Sequence, residues 1–419
     1  MGLIPPPLQN DCFAMPQGAH WTPVSDALRH LRANLQPCTG AKGIPLAEGT
    51  DRILAGPSIA LRAHPPETNA AVDGYAMKGP IPEGAHELPL VDGRAAAGAP
   101  FKGTVPAGHA IRIFTGAVVP AGTDTIILQE DVTTNGQTIA FHGPLKQGAN
   151  ARQEGEDMAR GQVIFNATHR LSPGDLATLA SAGVGCINVR KQLRVGVIST
   201  GDELLEPGAM ARPGKIYDAN RPMLCAAIKQ WGYIVHDLGI VPDDRDKIRA
   251  KLDEAAEDCD VIITSGGASA GDEDHMSALL KDTGSLALWR IAIKPGRPLA
   301  LGIWNETPVF GLPGNPVAAA VCAMIFARPA LSLLAGAGWV EPVSYALPAA
   351  FSKTKKAGRT EYLRGRLTQQ GAVEIFTSEG SGRVSGLSWA TGLVELPHDC
   401  TSVEDGDVVT FIPFREMGM

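Results

Sequence analysis

At 419 residues the chain exceeds what one ordinary core organises, so three or four compact parts are expected. An apolar fraction of 44% is enough to fill such cores, while 19% charged and 5% aromatic residues argue against a disordered chain and against an aromatic nucleic-acid platform. The formal charge of -7 disfavours nonspecific adhesion to DNA or to an acidic membrane, and an anionic ligand then requires a local basic cluster.

The first thirteen residues, MGLIPPPLQNDCF, lack a basic region followed by an apolar run, and no stretch approaches the roughly 18 continuous apolar residues of a spanning helix. A cytoplasmic protein is expected. Residues 21 to 36 place apolar side chains at helical spacing behind Thr22 or Ser25 as cap, which predicts a short amphipathic helix. From position 45 to 150 the texture turns rich in Gly and Pro, with β-prone runs such as AIRIFTGAVV and DTIILQEDV, the pattern of an irregular β insert. Helical structure resumes at Ser172, with Pro173 in the first turn, and this segment is expected to pack back on the N-terminal helix.

From 193 onward, apolar runs alternate with helical patterns: LRVGVIST, helix 221 to 232, YIVHDLGIV, helix 244 to 257, CDVIITSGG and helix 274 to 282. Strands near LALWRIAI, PLALGIW and TPVFGLPG follow, then a long helix from 316 to 334. This order predicts a mainly parallel sheet covered on both faces, with ligands at the carboxyl ends of its strands. The last eighty or so residues read as a small β domain. Seven cysteines stand singly without a CxxC pair, which indicates neither a disulfide framework nor a zinc site and predicts reduced, mostly buried thiols.

The chemistry-bearing residues gather where strands of the α/β region end. Thr200, Gly201, Asp202 and Glu203 follow one strand. Ser265, Gly266, Gly267, Ser269 and Gly271 follow another and lead into Asp272, Glu273 and Asp274. Glycines let backbone amides approach an anion, and carboxylates hold a divalent cation that bridges phosphate oxygens. One such turn recurs by chance; two in one sheet indicate a phosphate and Mg2+ site. Arg290, Lys294 and Arg297 set three cations on a rigid Pro-Gly tether, suited to a compact oxyanion. Pro313, Gly314 and Asn315 open the long apolar helix, whose amide-rich start also favours an anion. Taken alone, Asp73 beside Gly74, Thr115 at a turn and the acids around Asp157 read as structural.

TNAAVDGYAM, RIFTGAVVPAGTDTII, NARQEGEDM, VGVISTGDEL, DVIITSGGASAGDEDH, AIKPGRP and GLPGNPVAA, in this order, resemble the molybdopterin molybdenumtransferase family, which includes the E domain of gephyrin. The resemblance implies a multidomain α/β plus β chain. Its parts would be an elongated helical and extended N-terminal domain from 1 to 60 with 151 to 190, a β-rich insert from 61 to 150, a three-layer α/β molybdopterin-binding domain from 191 to 338 and a C-terminal β-barrel-like domain from 339 to 419. It also implies a homodimer with active sites shared between subunits, and a reaction that takes adenylylated molybdopterin and molybdate, uses Mg2+ and releases AMP. Transient partners would be the adenylyltransferase and apo-molybdoenzymes or their chaperones, with neither nucleic acid nor membrane.

Carried over by motif, the family's acids fall on Asp73, Asp157, Glu203 and Asp274, and the insert hydroxyl on Thr115. Molybdate contacts fall on Lys294, Arg297, Arg364 and Ser381, and Mg2+ on Glu203 and Asp274. Thr200, Gly201, Asp202, Ser265, Gly266, Gly267, Ser269, Gly271, Pro313, Gly314 and Asn315 would contact substrate. The family often has Lys at 290 and 297 and Met at 72, where this chain has Arg290, Arg297 and Val72. Two other readings compete. A molybdopterin adenylyltransferase would need only residues 190 to 335, and a gephyrin-like scaffold would leave the acids and basics dispensable.

Overall fold

The computed structural model describes residues 21–266, 275–282, 287–296, 298–378, 380 and 382–419. It divides into two units, one of residues 42–189 and one joining residues up to 41 with 190–419.

In the second of these, four parallel strands lie side by side in the order Ile234–Val241, Arg194–Thr200, Val261–Ser265 and Thr307–Leu312. Pro298–Trp304 and Ala287–Arg290 extend the sheet, each antiparallel to its neighbour. The near-continuous burial of Arg194–Thr200 and Val261–Ser265 explains why their sequences are apolar runs without alternation. Ile198, Ile262 and Val309 from the sheet pack with Ile248 and Leu252 of helix Arg245–Asp258 and with Met276, Leu279 and Leu280 of helix His275–Asp282. Asp244 caps the first of these helices, accepting from the amides of Asp246 (3.1 Å) and Lys247 (3.0 Å).

Helix Asn220–Gln230 contacts the sheet and the start of the long helix Pro316–Leu334. That long helix is apolar enough to cross a membrane, with mean hydropathy 2.0, but it is 89% buried among the chain's own elements and Arg328 interrupts its apolar run. It carries a π turn over Ala323–Ala327, just before Pro329.

The run LALWRIAI, expected as one strand, is divided between two sheets. Ala287–Arg290 stays in the α/β sheet, whereas Ile293–Lys294 pairs in parallel with Thr360–Leu367. Thr360–Leu367 belongs to a second six-stranded sheet, in the order Ile293–Lys294, Thr360–Leu367, Gly392–Leu396, Val408–Pro413 and Tyr345–Pro348, with Val373–Ile375 also paired to Thr360–Leu367. Leu363, Val373, Val394, Val409 and Phe411 form its core.

Helix Val24–Asn34 follows Pro23 and lacks the side-chain cap expected from Thr22 or Ser25. It packs on helix Arg328–Leu334, the Cys38 amide donates to Leu334 O (2.9 Å), and Thr22 pairs with Ile291.

In the unit of residues 42–189, a six-stranded sheet runs in the order Thr125–Leu128, Gly74–Met77, Ala110–Ile113, Ile81–Ala95, Thr138–Leu145 and Val132–Thr134. Ala76, Ile111, Ile113 and Ile126 form one core beside it. A separate core joins Leu54 and Ala60 to Leu171, Leu179 and Val189, so residues before and after the sheet pack together within this unit. Ser172 caps helix Pro173–Ser181 in a reciprocal arrangement with Asp175, realising the start signal read at Ser172 and Pro173.

Candidate functional site

The turns after Arg194–Thr200 and Val261–Ser265, together with the loop after Thr307–Leu312, meet at one end of the parallel sheet. Gly266 has φ 93°, and a Cβ there would lie 2.5 Å from the Thr200 carbonyl oxygen, so glycine is required for the two strand ends to approach. The Gly314 backbone lies in ordinary contact range, with a Cβ on it 3.7 Å from Gly266 Cα. Asn220, unremarked in the sequence, ties these loops: its Nδ2 donates to Ser265 Oγ (2.7 Å) and to Gly314 O (2.7 Å). Asn220 Oδ1 and Thr200 Oγ1 are buried without a hydrogen-bond partner, polar atoms of the kind a ligand or water satisfies.

Glu203 folds back on its own turn, and a Cβ on Gly201 would fall 2.5 Å from Glu203 Oε2. Asp202 and Asp243 brace each other, each backbone amide donating to the other's carboxylate at 3.2 Å. Behind this turn, the Arg221 guanidinium reaches Asp237 (2.5 Å), Asp218 (3.2 Å) and Glu206. Burial disfavours its charge, yet the three carboxylates outweigh that and hold it protonated. Asp218 also accepts from the amides of Asn220 and Arg221 at 3.1 Å, so the stretch Asp218–Arg221 starts the helix, ties the loops and anchors the Glu206 side at once.

Lys294 and Arg364 line one small pocket with Pro295, Tyr362, Phe376 and Ser378. Two residues assigned to the same anion from motifs far apart in sequence are thus neighbours. Arg364 also braces the following loop, donating from Nη1 to Arg383 O (2.6 Å) and from Nη2 to Ser378 O (2.5 Å) and Gly380 O (3.3 Å), with its guanidinium 4.9 Å from the Phe376 ring centre. Several of its donors are therefore committed to backbone, which gives this arginine a loop-holding task that the motif reading did not include.

In the unit of residues 42–189, Asp73 and Thr115 come together. The Thr115 amide and hydroxyl both donate to Asp73 Oδ1, at 2.7 and 2.6 Å. These bonds, hydroxyl first, hold the Asp73 carboxyl below its ordinary range, with Arg112 adding a smaller share. Arg112 itself lies over Tyr75 (5.0 Å) and Phe114 (4.8 Å). Asp157 sits in a different turn, its amide donating to His64 O (3.1 Å), and shares no described hydrogen bond with Asp73. Gly267, Ser269, Gly271, Asp274, Arg297 and Ser381 lie outside the described residues.

Three family descriptions match in succession: the MoeA N-terminal region (domain I and II) over residues 22–183, a probable molybdopterin binding domain over 196–333, and the MoeA C-terminal region (domain IV) over 346–414. The chain belongs to the molybdopterin molybdenumtransferase family. Membership makes it a transferase of molybdenum cofactor biosynthesis. It is 36% identical to molybdopterin molybdenumtransferase of Haemophilus influenzae, over 90% of this chain and 95% of that one. It is 32% identical to molybdopterin molybdenumtransferase 2 of Mycobacterium tuberculosis, over 92% of this chain and 96% of that one. Among solved structures it resembles a molybdopterin biosynthesis moeA protein from Pyrococcus horikoshii, with TM-score 0.81 and 27% identity, over 94% of this chain and 100% of that one.

Within this family member the thiols divide more evenly than expected: Cys38 and Cys186 are exposed, Cys400 is intermediate, and Cys225, Cys259 and Cys322 are buried. Burial pushes Cys322 up to about 12, the state of an inert core thiol. Besides Asn220, the sequence reading missed Asp243 and Glu361, the latter buried beside Lys294 with Nζ 3.4 Å from its Oε1. Asp243 was visible as the VPDD that follows a strand; Glu361 lay within a strand, where a charged residue reads as solvent-facing.

Proposed function

We propose that the chain inserts molybdenum into adenylylated molybdopterin in the cytoplasm, taking molybdate as substrate, using Mg2+ and releasing AMP. The observation that carries this reading is the pocket shared by Lys294 and Arg364, which sets two cations from separate motifs on one compact site. Substrate and molybdate are both anions, so fixed positive charge must offset their repulsion, and Lys294 supplies a point charge while Arg364, its Nη groups donating to backbone carbonyls, adds fixed positive charge beside it. Arg297 and Ser381 complete the proposed molybdate contacts.

At the strand ends, Thr200, Gly201, Asp202, Ser265, Gly266, Pro313, Gly314 and Asn315 are the proposed substrate contacts, together with Gly267, Ser269 and Gly271. The unpaired Thr200 Oγ1 supports this reading, since a buried hydroxyl of this kind is completed by a bound polar group. Among the described residues no three His, Cys, Asp or Glu side chains cluster closely enough to cage a metal. Mg2+ needs no such cage: it is commonly held by one or two carboxylates plus substrate oxygens and water, a donor set that Glu203 and Asp274 fit. Bound there, the ion would supply charge neutralisation for the phosphoanhydride. Asp73, held ionised by Thr115, and Asp157 are proposed to act in the same reaction.

The purified chain, given adenylylated molybdopterin and Mg2+, should release AMP only when molybdate is added; AMP release independent of molybdate would overturn the reading. We further propose a homodimer with transient contacts to the adenylyltransferase and to apo-molybdoenzymes or their chaperones. Inactive chains altered at Asp73 and at Glu203 should then regain activity when their subunits are exchanged. Heterodimers that form, by mass, without recovered activity would refute sharing.

A further inference from the structure

Glu361 is almost completely buried, at 1% exposure, in the middle of a cationic cluster. Strand pairing sets it directly beside Lys294, whose Nζ lies 3.4 Å from Glu361 Oε1 and 3.5 Å from Oε2. Lys353 approaches the same carboxylate from the interior, with Nζ 3.7 Å from Oε2 and its side chain 7% exposed. The two lysines differ in access, since the Lys294 side chain is 30% exposed and lines the pocket with Arg364, whereas Lys353 is enclosed.

A buried carboxylate is costly without a counter-charge, and removing its only partner would leave it unpaired. With two ammonium groups present, one can leave while the other still neutralises the acid. The contacts from Lys294 are also longer than the 2.7 to 2.9 Å typical of a tight charge-assisted bond, so the ammonium is held near the pocket without being locked to the acid.

We infer that Glu361 is a positioning residue and internal counter-ion for Lys294: it holds the ammonium at the pocket lining until an oxyanion displaces it, and Lys353 then remains as the counter-charge of the vacated carboxylate. This inference rests on the proposed role of Lys294 as a molybdate contact. It makes the site an ion exchanger in miniature, in which molybdate binds by competing with a built-in carboxylate. The affinity for a tetrahedral dianion is thereby held down, as release to the dithiolene requires.

The test is calorimetric titration of molybdate alone into the full chain and its variants, with pterin affinity measured separately. Glu361→Gln should bind molybdate about three- to fivefold more tightly, the size of freeing one partly exposed ion pair, and should leave pterin affinity unchanged. Because Glu361→Gln strands Lys353 in the interior, the pair Glu361→Gln with Lys353→Met provides a variant with the original local net charge. It should bind molybdate more tightly as well, and Lys294→Met added to either should abolish the gain. If Lys294→Met weakens molybdate binding while neither Glu361 variant tightens it, the counter-ion role is refuted and the reading of Lys294 stands. If a gain appears in Glu361→Gln and vanishes in the charge-matched pair, the effect is net charge alone and the pairing is refuted. If Lys294→Met leaves molybdate binding unchanged, the reading of Lys294 itself fails and the inference falls with it.

Discussion

The loops at the end of the parallel sheet and the Asp73–Thr115 turn both present polar groups for chemistry, yet they are built in opposite ways. At the sheet, the groups are enclosed and cross-linked from a distance: Asn220, 7% exposed, joins Ser265 to Gly314 across long stretches of sequence. At the turn, an exposed carboxylate is held by two short bonds from a single residue. The first arrangement fixes geometry through the fold and fails with it. The second fixes a protonation state locally and can be altered without disturbing anything else.

That contrast is broken most forcefully at Asn220. Replacing it by Ala leaves the buried Ser265 Oγ and the Gly314 carbonyl of an exposed residue without their shared donor, and an orphaned buried group costs about 1–3 kcal/mol, less where solvent reaches it. Asn220→Ala should therefore lower stability by about 2–4 kcal/mol, read from the urea midpoint. A midpoint unchanged from the parent would show that the loops are held by something other than this amide.

Asp124 gives an intermediate effect and sharpens the comparison within the unit of residues 42–189. Burial would raise its carboxyl, but hydrogen bonds from Lys78, the Gly79 amide, Thr125 and Gln147 outweigh this and bring it down to about 2. Its folded value lies below the ordinary 3.8, so its stabilisation is complete above 3.8 and is lost as pH falls from there towards about 2. The gap corresponds to about 2 kcal/mol. Asp124→Asn should cost that amount near neutral pH, and its difference from the parent should shrink through this acid window. A difference that stays constant down to the lower end would contradict the assignment.

The smallest effect on stability is expected at Thr115. Thr115→Val should leave the thermal midpoint nearly in place while the Asp73 carboxyl moves up towards its ordinary range, seen by NMR titration of the side-chain carboxyl. An unmoved Asp73 would mean that the residue-115 amide and Arg112, and not the hydroxyl, set its charge.

Much of the architecture was legible because local signals and burial agree. Pro173 and Pro316 mark helix starts, and apolar runs mark the parallel strands. Pairing was less visible. Nothing in LALWRIAI tells that the chain leaves one sheet at Arg290 and joins another at Ile293, because both halves are equally apolar. Glu361 was hidden for a related reason: its identity suggests solvent, and only the neighbouring strand, which brings Lys294, makes its burial tolerable. Asn220 read as an ordinary helix-start residue, since its partners Ser265 and Gly314 are adjacent only after folding. The site motifs named the first residues to consider, but not the groups that hold them.

The two-residue strand Ile293–Lys294 bears on how this molecule can be taken apart. Thr22 N donates to Arg290 O, Ala292 N to Thr22 O, and Thr360 N to Ala292 O, so a segment near the start of the chain, the end of the α/β sheet and the C-terminal sheet are sewn together at one seam. A gene shortened to end before Tyr345 could still encode every strand of the parallel sheet, but the backbone beneath Lys294 would lose its neighbour. The C-terminal part is in this sense no removable module; it is the wall on which the lysine is hung, and lineages that discarded it would have to find another way to hold that charge in place.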